Sequence, residues 1–175
     1  SGLQEAISRR LDALNPVVIS FGKIEGGKAF NVIADRVTLL GTVRCLCADL
    51  HERLPAWIEE TVQAICGSFG ARARVRYRCI APPVRNDPSL TALLERSAVD
   101  QLGAEHVQRL DQPSLGAEDF AEFLQDLPGS MFRLGVAGPN GCAALHNGHF
   151  NPEEGSLGVG VQVLTAAMLA WTPTP

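Results

Sequence analysis

The sequence predicts an α+β protein in two parts, and three observations support this prediction. Residues 3–80 carry patterns in the order helix, two or three strands, helix, strand. A small sheet with both helices on one face accounts for that order. Ala81-Pro82-Pro83 then marks a boundary. Beyond it, helices and strands alternate, but the strands are too few to build a self-sufficient core.

The first part opens with a predicted helix over residues 3–14. Its apolar residues recur at helical spacing, at Leu3, Ala6, Ile7, Leu11 and Leu14. Asn15-Pro16 ends it, because a residue before proline avoids helical backbone. A strand is predicted over residues 17–24, followed by a turn at Gly26-Gly27. The runs 29–33 and 37–45 predict either one further strand with an irregular start or two short strands.

Residues 50–68 predict the second helix, with Asp49 and Glu52 as an acidic variant of the capping box and Gly70 at its end. Residues 71–80 alternate between arginine and smaller or apolar residues, which is typical of a half-buried strand. Its outer face carries Arg72, Arg74, Arg76 and Arg78. This row indicates either an anion or nucleic-acid stripe or a solvated sheet face guarded by charge, and the acidic net charge favours the second interpretation.

In the second part, a helix is predicted over residues 88–101, with Asp87 as N-cap, Pro88 as its first residue and Gly103 after its end. A short strand over 107–110, a helix over 117–124 and a strand over 130–136 follow. The last predicted helix covers residues 155–171. Its inner face is predicted to carry Leu157, Val161, Leu164 and Met168.

Composition narrows the function classes. The 175 residues are 46% hydrophobic and 19% charged with a net charge of -4, which is ordinary for a globular protein and argues against a nucleic-acid binder. No apolar run is long enough to span a bilayer. The five cysteines are odd in number and irregularly spaced, so we expect reduced thiols and a cytoplasmic location. The start at Ser1-Gly2, without Met, suggests a piece of a longer chain.

Metal-capable side chains crowd into one loop over residues 141–150. Cys142, His146 and His149 fall close together there, and thiolate and imidazole are ligands that zinc prefers. Two or three ligands from one loop do not complete a site, so the partners of a metal-binding His146 would come from elsewhere. A small zinc module built on these three residues is an alternative interpretation.

Other polar residues have weaker signals. Asn31 and Arg44 each interrupt a strand region and are good binders of carbonyls and carboxylates. If their segments pair as a hairpin, we expect the two side chains to approach each other. Glu118 and Asp119 are interpreted as compensation of a helix dipole. Cys45 and Cys47 are interpreted as small core residues rather than a redox pair, and His51 and His106 as solvated surface.

Taken in order, these strings resemble the dinuclear metal-dependent amidohydrolase and metallopeptidase family, which includes aminoacylase, hippurate hydrolase, auxin-conjugate hydrolases and carboxypeptidases. The resemblance covers nearly the whole chain. It rests chiefly on Gly41-Thr42-Val43-Arg44, Gly116-Ala117-Glu118-Asp119-Phe120 and Leu145-His146-Asn147-Gly148-His149-Phe150. Ala34 departs from the pattern, since the hippurate and auxin-conjugate branch usually has proline there.

The resemblance implies that residues 1–82 form most of a lid or dimerisation domain, a ferredoxin-like two-layer sandwich without its first strand. Residues 84–175 would form the C-terminal part of an α/β zinc-peptidase-like catalytic domain. His146 matches the family's last metal ligand. Asn31 and Arg44 match lid residues that hold the substrate carboxylate or the polarised carbonyl, often across a dimer. Gly116 matches a glycine that lines the substrate pocket, and Glu118 and Asp119 match a signature whose role is either structural or to support the metal ligands from behind.

The implied function is that of a metal-dependent amidohydrolase acting on N-acyl amino acids or related amides and peptides. Two divalent metal ions are expected in the intact protein, zinc first, with manganese, cobalt or nickel as alternatives. A homodimer formed through the lid is expected, and neither nucleic acid nor membrane as a partner. The general base and most ligands are expected upstream, so this chain alone should be inactive. The alternative is a non-catalytic dimerisation or binding module that kept the lid and lost the metal site; the sequence before Ser1 would distinguish the two.

Overall fold

The computed structural model describes residues 2–12 and 14–172. The chain divides into two compact units. The first comprises Ser1–Val84 with Gln112–Glu122, and the second comprises Arg85–Asp111 with Phe123–Pro175. The architecture is α+β, as predicted, with one antiparallel two-stranded sheet and five α-helices in the described part of the chain.

The first unit begins with helix α1 (Gly2–Arg10), which is shorter than the predicted span of residues 3–14. The Leu11 amide still donates to the Ile7 carbonyl at 3.0 Å. The Asp12 carboxylate then accepts from the Leu14 amide at 3.0 Å and from Asn15 Nδ2 at 3.1 Å. An aspartate that offers the backbone this local alternative ends a helix early.

Strands β1 (Val17–Gly26) and β2 (Val37–Cys45) form an antiparallel hairpin. The register runs from the Gly26–Val37 pair to the Val17–Cys45 pair, with one irregularity between Phe21 and Lys23. The prediction of a strand over residues 29–33 is wrong. That stretch belongs to the connection between the strands, where the Val32 amide donates to the Ala29 carbonyl at 3.3 Å and Phe30 is fully exposed. Apolar residues there have no layer to pack against.

The core of this unit joins four buried side chains from three elements: Leu3, Ile19, Leu54 and Ile58. Leu54 and Ile58 lie on helix α2 (Ala48–Ser68), and Leu54 has no exposed surface. Both helices therefore pack on one face of the hairpin, as expected. The start of α2 differs from the prediction: Cys47 is the N-cap and makes no side-chain cap bond, while Asp49 lies inside the first turn.

Residues 71–80 run extended after Gly70, whose φ of +68° ends α2. The predicted alternation is present: Val75 and Tyr77 pack against the core, and all four arginines are exposed. The predicted pairing is not, since the one sheet of the described residues contains β1 and β2 alone. Within the described part of the chain, residues 72–80 make no backbone–backbone hydrogen bond. The Gln63 side chain holds the segment by donating to the Ala73 carbonyl at 2.8 Å.

The second unit contains helix α3 (Pro88–Leu102), whose ends match the prediction. The Asp87 side chain accepts from the amides of Ser89 and Leu90, both at 2.9 Å, and Gly103 follows with a φ of +90°. A 3-10 turn covers Ala104–His106. Residues 107–110, predicted to form a strand, contain none. Instead, the Arg109 guanidinium makes two bonds of 2.7 Å to the Glu95 carboxylate.

The segment 130–136, predicted to form a strand, belongs to none of the strands of the structure. The Asn86 side chain binds both backbone groups of Met131, donating to its carbonyl at 2.8 Å and accepting from its amide at 3.0 Å. One amide side chain therefore occupies the place that a neighbouring strand would take. The predicted helix over 117–124 is reduced to the single turn α4 (Phe120–Phe123).

Helix α5 (Gly155–Ala170) packs against α3 with a different face from the one predicted. Its buried residues are small or β-branched: Ser156, Gly160, Val163 and Ala167. The residues assigned to its inner face are 49% to 75% exposed: Leu157, Val161, Leu164 and Met168. A helix that is apolar all round has no stripe to mark its inner face. Small residues on the buried face let neighbouring segments approach closely: a Cβ at Gly160 would lie 3.1 Å from Leu134 Cδ2, in the segment 130–136.

Two further observations concern the cysteines and the possibility of a membrane-spanning helix. All five cysteines are free thiols. Among the described residues, no helix combines the length and apolar character that crossing a bilayer requires.

Candidate substrate and metal residues

Arg44 lies near the end of β2, opposite Val18 in the hairpin. Its Nη1 donates to the Leu115 carbonyl oxygen at 2.9 Å. Leu115 precedes Gly116, so the structure brings two of the predicted substrate residues, Arg44 and Gly116, together in the first unit. The Gly116 amide donates to Ser114 Oγ at 3.1 Å, which shapes the loop. A guanidinium has five N–H donors, and the bond to Leu115 leaves others to face a carboxylate.

Asn31 lies in the exposed connection beyond the Gly26–Val37 pair. Arg44 is near the other end of the hairpin, seven residues further along β2 than Val37, a distance of about 23 Å at the ordinary rise of a strand. The segments around Asn31 and Arg44 do not pair with each other, so the condition under which we expected the two side chains to approach is not met. The pairing that was expected for the segment around Asn31 is made by β1 instead.

His146 has a φ of +67° and is the one non-glycine residue with a positive φ in the described part of the chain. This left-handed conformation costs an L-residue about 1–2 kcal/mol, although histidine adopts it more often than most residues do. The surrounding loop holds the backbone in place. Asn147 donates from its amide to the Ala144 carbonyl at 3.2 Å, and its Oδ1 accepts from the His149 amide at 2.9 Å. Backbone strain of this kind concentrates at functional sites.

The side chains around His146 test whether this loop can hold a metal by itself. His146 and His149 are exposed, and Cys142 Sγ donates to the Asn151 carbonyl at 3.3 Å. The described residues contain no group of three or more His, Cys, Asp or Glu side chains that could hold a metal ion. The zinc module of Cys142, His146 and His149 is therefore wrong for these residues. His146 fits one coordination position, and the other donors would have to come from elsewhere.

Glu118 and Asp119 act through their backbone at the start of α4. The Glu118 carbonyl accepts from the Ala121 amide at 3.1 Å, and the Asp119 carbonyl accepts from the Glu122 amide at 3.0 Å. These bonds close the first turn of the helix, and the role of the two side chains stays a prediction.

One contact was missed from the sequence. His51 Nε2 lies 3.2 Å from Cys79 Sγ, although His51 was interpreted as solvated surface. A signal for it was present: residue 79 shares its parity with the inward-facing Val75 and Tyr77, and His51 is in the first turn of α2. The sequence pattern does not indicate where along α2 the segment 71–80 lies, so the contact between His51 and Cys79 could not be predicted.

Comparison with known proteins places these features in a family. The sequence model of peptidase family M20/M25/M40 matches residues 2–170. A probable hydrolase of Synechocystis sp. is 44% identical over 173 residues, which cover 98% of this chain and 44% of the relative. An N-acetyldiaminopimelate deacetylase of Geobacillus sp. is 34% identical over 162 residues, covering 93% of this chain and 42% of that enzyme.

Among solved structures, the chain is similar to a Bacillus subtilis protein described as a dinuclear metal-binding peptidase of the M20 family. The two are 26% identical with a TM-score of 0.75, and the match covers 96% of this chain and 45% of that one. The chain thus spans less than half the length of these relatives. The family model, matched over residues 2–170, establishes that this chain belongs to peptidase family M20/M25/M40.

Proposed function

We propose that this chain is part of a metal-dependent amidohydrolase that cleaves the amide bond of N-acyl amino acids or of related amides and peptides. The observation that carries the proposal is the bond from Arg44 Nη1 to the Leu115 carbonyl at 2.9 Å, because it holds a cationic side chain beside the Gly116 loop. An N-acyl amino acid presents a carboxylate close to its amide, and the Geobacillus relative is named for deacetylating a substrate of this class.

Each candidate residue then has one role. The remaining guanidinium donors of Arg44 bind the substrate carboxylate, and the Gly116 loop lines the pocket. The Asn31 amide donates to the carbonyl oxygen, where negative charge develops during hydrolysis. His146 supplies one metal ligand from a loop whose backbone is already fixed.

The chemistry supplied by two divalent ions, when bound, is polarisation of the amide carbonyl and activation of water. We propose zinc, with manganese, cobalt or nickel as alternatives; the metal-binding description of the Bacillus subtilis relative supports the pair of ions. The remaining ligands and the general base would lie in a part of the full-length protein outside this sequence, so this chain alone should not turn over substrate.

The positions of Asn31 and Arg44 at opposite ends of the hairpin favour a site shared between two copies. We propose that residues 1–82 act as a lid of the ferredoxin-like kind, lacking its first strand, and pair two copies into a homodimer. Residues 84–175 would belong to the catalytic part. Asn31 of one copy would then serve the site that contains His146 of the other. The free thiols of all five cysteines support a cytoplasmic location within this proposal.

Heterodimers of the full-length protein test the shared site. Asn31→Ala and His146→Ala should each abolish most hydrolysis of an N-acetyl amino acid when present in both copies. A heterodimer of the two variants contains one complete site if Asn31 acts across the dimer, so activity should return upon mixing. The control is a mixture of two separately prepared Asn31→Ala samples, which should stay inactive.

Verified heterodimers without rescue would remove Asn31 from the neighbouring site. Wild-type full-length protein that neither binds zinc, manganese or cobalt nor turns over any N-acyl amino acid would instead favour the non-catalytic dimerisation module. That module would retain the pairing of two copies through residues 1–82, which sedimentation measures directly.

A further inference from the structure

Cys79 and His51 form a thiol–imidazole pair that lies outside the candidate site. Cys79 stands near the end of the extended segment 71–80 and is exposed, and His51 lies in the first turn of α2 and is half-buried. Their Sγ and Nε2 atoms are 3.2 Å apart. A thiol reacts as its thiolate, and an imidazole nitrogen at this distance can take the thiol proton.

The other cysteines lack this arrangement. All five lie within the described residues, and Cys79 is the only one classed as exposed rather than half-buried. Burial raises the pKa of the Cys45 thiol, which also donates to the Cys47 carbonyl at 3.1 Å. Cys142 donates to the Asn151 carbonyl at 3.3 Å, so its partner is an acceptor that cannot hold a proton. Exposure and a basic partner therefore coincide at Cys79 alone.

The charge beside Cys79 indicates which reagents it would meet. Arg72, Arg74, Arg76 and Arg78 are exposed, and none has an ion pair within the described part of the chain. At about 3.3 Å per residue, the backbones of Arg76 and Arg78 are within about 10 Å of Cys79, a distance over which charges still interact at 0.1 M salt. This row of arginines attracts anions to the neighbourhood of the thiol.

We propose that Cys79, with His51 as its base, is a site of thiol–disulfide exchange that prefers small anionic disulfides. The Cys79 proton passes to His51 Nε2 as Sγ attacks one sulfur of the disulfide. The disulfide's S–S bond breaks, a new bond joins Cys79 Sγ to the attacked sulfur, and the departing thiolate takes a proton from the imidazolium or from water. The incoming disulfide is the oxidant, so the step balances without another reagent.

Peptide mapping of the 175-residue chain by mass spectrometry tests this proposal, with glutathione disulfide as the anionic probe and hydroxyethyl disulfide as the neutral one. We expect Cys79 to react first with both, about tenfold faster than Cys142. His51→Gln should bring the Cys79 rate close to that of Cys142 with both probes. His51→Asn provides a second variant in case one fails to fold, and circular dichroism verifies the fold of each.

Arg76→Gln with Arg78→Gln should slow the reaction with glutathione disulfide severalfold and leave the neutral probe unaffected. The same reaction in urea, where all five cysteines should react at similar rates, verifies that each peptide is detected. Faster modification of another cysteine in the folded chain, or an unchanged Cys79 rate in both folded His51 variants, would overturn the proposed site. Equal loss of rate with both probes in the arginine variant would overturn the preference for anions.

Discussion

Arg44 and Leu115 lie 71 residues apart in the sequence, yet the guanidinium of one donates to the carbonyl of the other at 2.9 Å. The bond orients Arg44 beside Gly116, where the proposed substrate carboxylate would lie. In the full-length protein, we expect Arg44→Ala to raise KM for an N-acyl amino acid by about tenfold or more, because a charge-assisted contact to the bound substrate is lost. The value of kcat should fall less.

Arg36→Ala is the matched control for Arg44, since Arg36 is also exposed and directly precedes β2. Steady-state kinetics of both variants should separate the roles. A similar change of KM in both would reduce Arg44 to one of many surface charges.

Two substitutions at His146 test its side chain and its left-handed backbone conformation separately. Asparagine accepts a positive φ, whereas a β-branched residue does not. His146→Asn should therefore retain the stability of this chain, and His146→Val should lower the free energy of unfolding by about 1–2 kcal/mol. Urea denaturation measures both. In the full-length protein, both variants should lose activity, because neither supplies an imidazole to the metal; activity that followed stability instead would argue against His146 as a ligand.

Two valines test which face of α5 is buried. Val163 is 2% exposed and Val161 is 65% exposed, on the same helix. Val163→Ala should cost about 2 kcal/mol in unfolding free energy through lost burial and a cavity, and Val161→Ala less than about 0.5 kcal/mol. Thermal unfolding of the two variants compares them. The reverse order would restore the face predicted from the sequence.

Asp87 makes the stability of this chain depend on pH. The Ser89 side chain and the Leu90 amide hold the pKa of Asp87 below its ordinary value of 3.8. Because the folded pKa is the lower one, the ionised carboxylate stabilises the fold above the ordinary pKa, and this contribution disappears as pH falls through the folded value. Asp87→Asn keeps an oxygen that caps α3 but does not titrate.

The stability difference between the wild-type chain and Asp87→Asn should therefore shrink between about pH 5 and pH 3. Other carboxylates titrate alike in both proteins, so the difference isolates Asp87. Urea denaturation across that range measures it. A difference that stayed constant down to pH 3 would mean that the capping bonds do not distinguish the charged from the neutral form.

The ends of a helix could be predicted from the sequence where capping residues mark them. Asp87, Pro88 and Gly103 bound α3 as expected, because each acts on the backbone within a turn of itself. The capping box at Asp49 and Glu52 fails because α2 begins earlier, at a half-buried Cys47 next to β2, so packing overrides the local signal. The prediction of the buried face of α5 is also wrong: apolar residues surround the helix, and the buried ones are small or β-branched.

Contacts between distant segments could not be predicted. The alternation in residues 71–80 predicts which side chains face the core, and it is confirmed for Val75 and Tyr77. It contains no information about a hydrogen-bonding neighbour. Short strings selected Arg44, Gly116 and His146 as candidate residues, and their roles stay predictions. The Arg44–Leu115 bond and the φ of His146 depend on long-range packing and loop closure, which no local pattern encodes.

The extended segment 71–80 has a consequence for the behaviour of this chain in solution. Within the described residues, the amides and carbonyls of residues 72–80 make no backbone–backbone hydrogen bond. Apart from the Ala73 carbonyl, which the Gln63 side chain binds, they can template a second copy, as sheet edges do in aggregation. The four exposed arginines oppose such pairing, because two copies aligned edge to edge bring like charges together. Salt screens that repulsion. We therefore expect self-association to increase with ionic strength, and light scattering between 0.05 and 0.5 M sodium chloride would show it. If two copies align antiparallel, Arg74→Glu with Arg78→Glu places opposite charges across the pair and should reverse the trend.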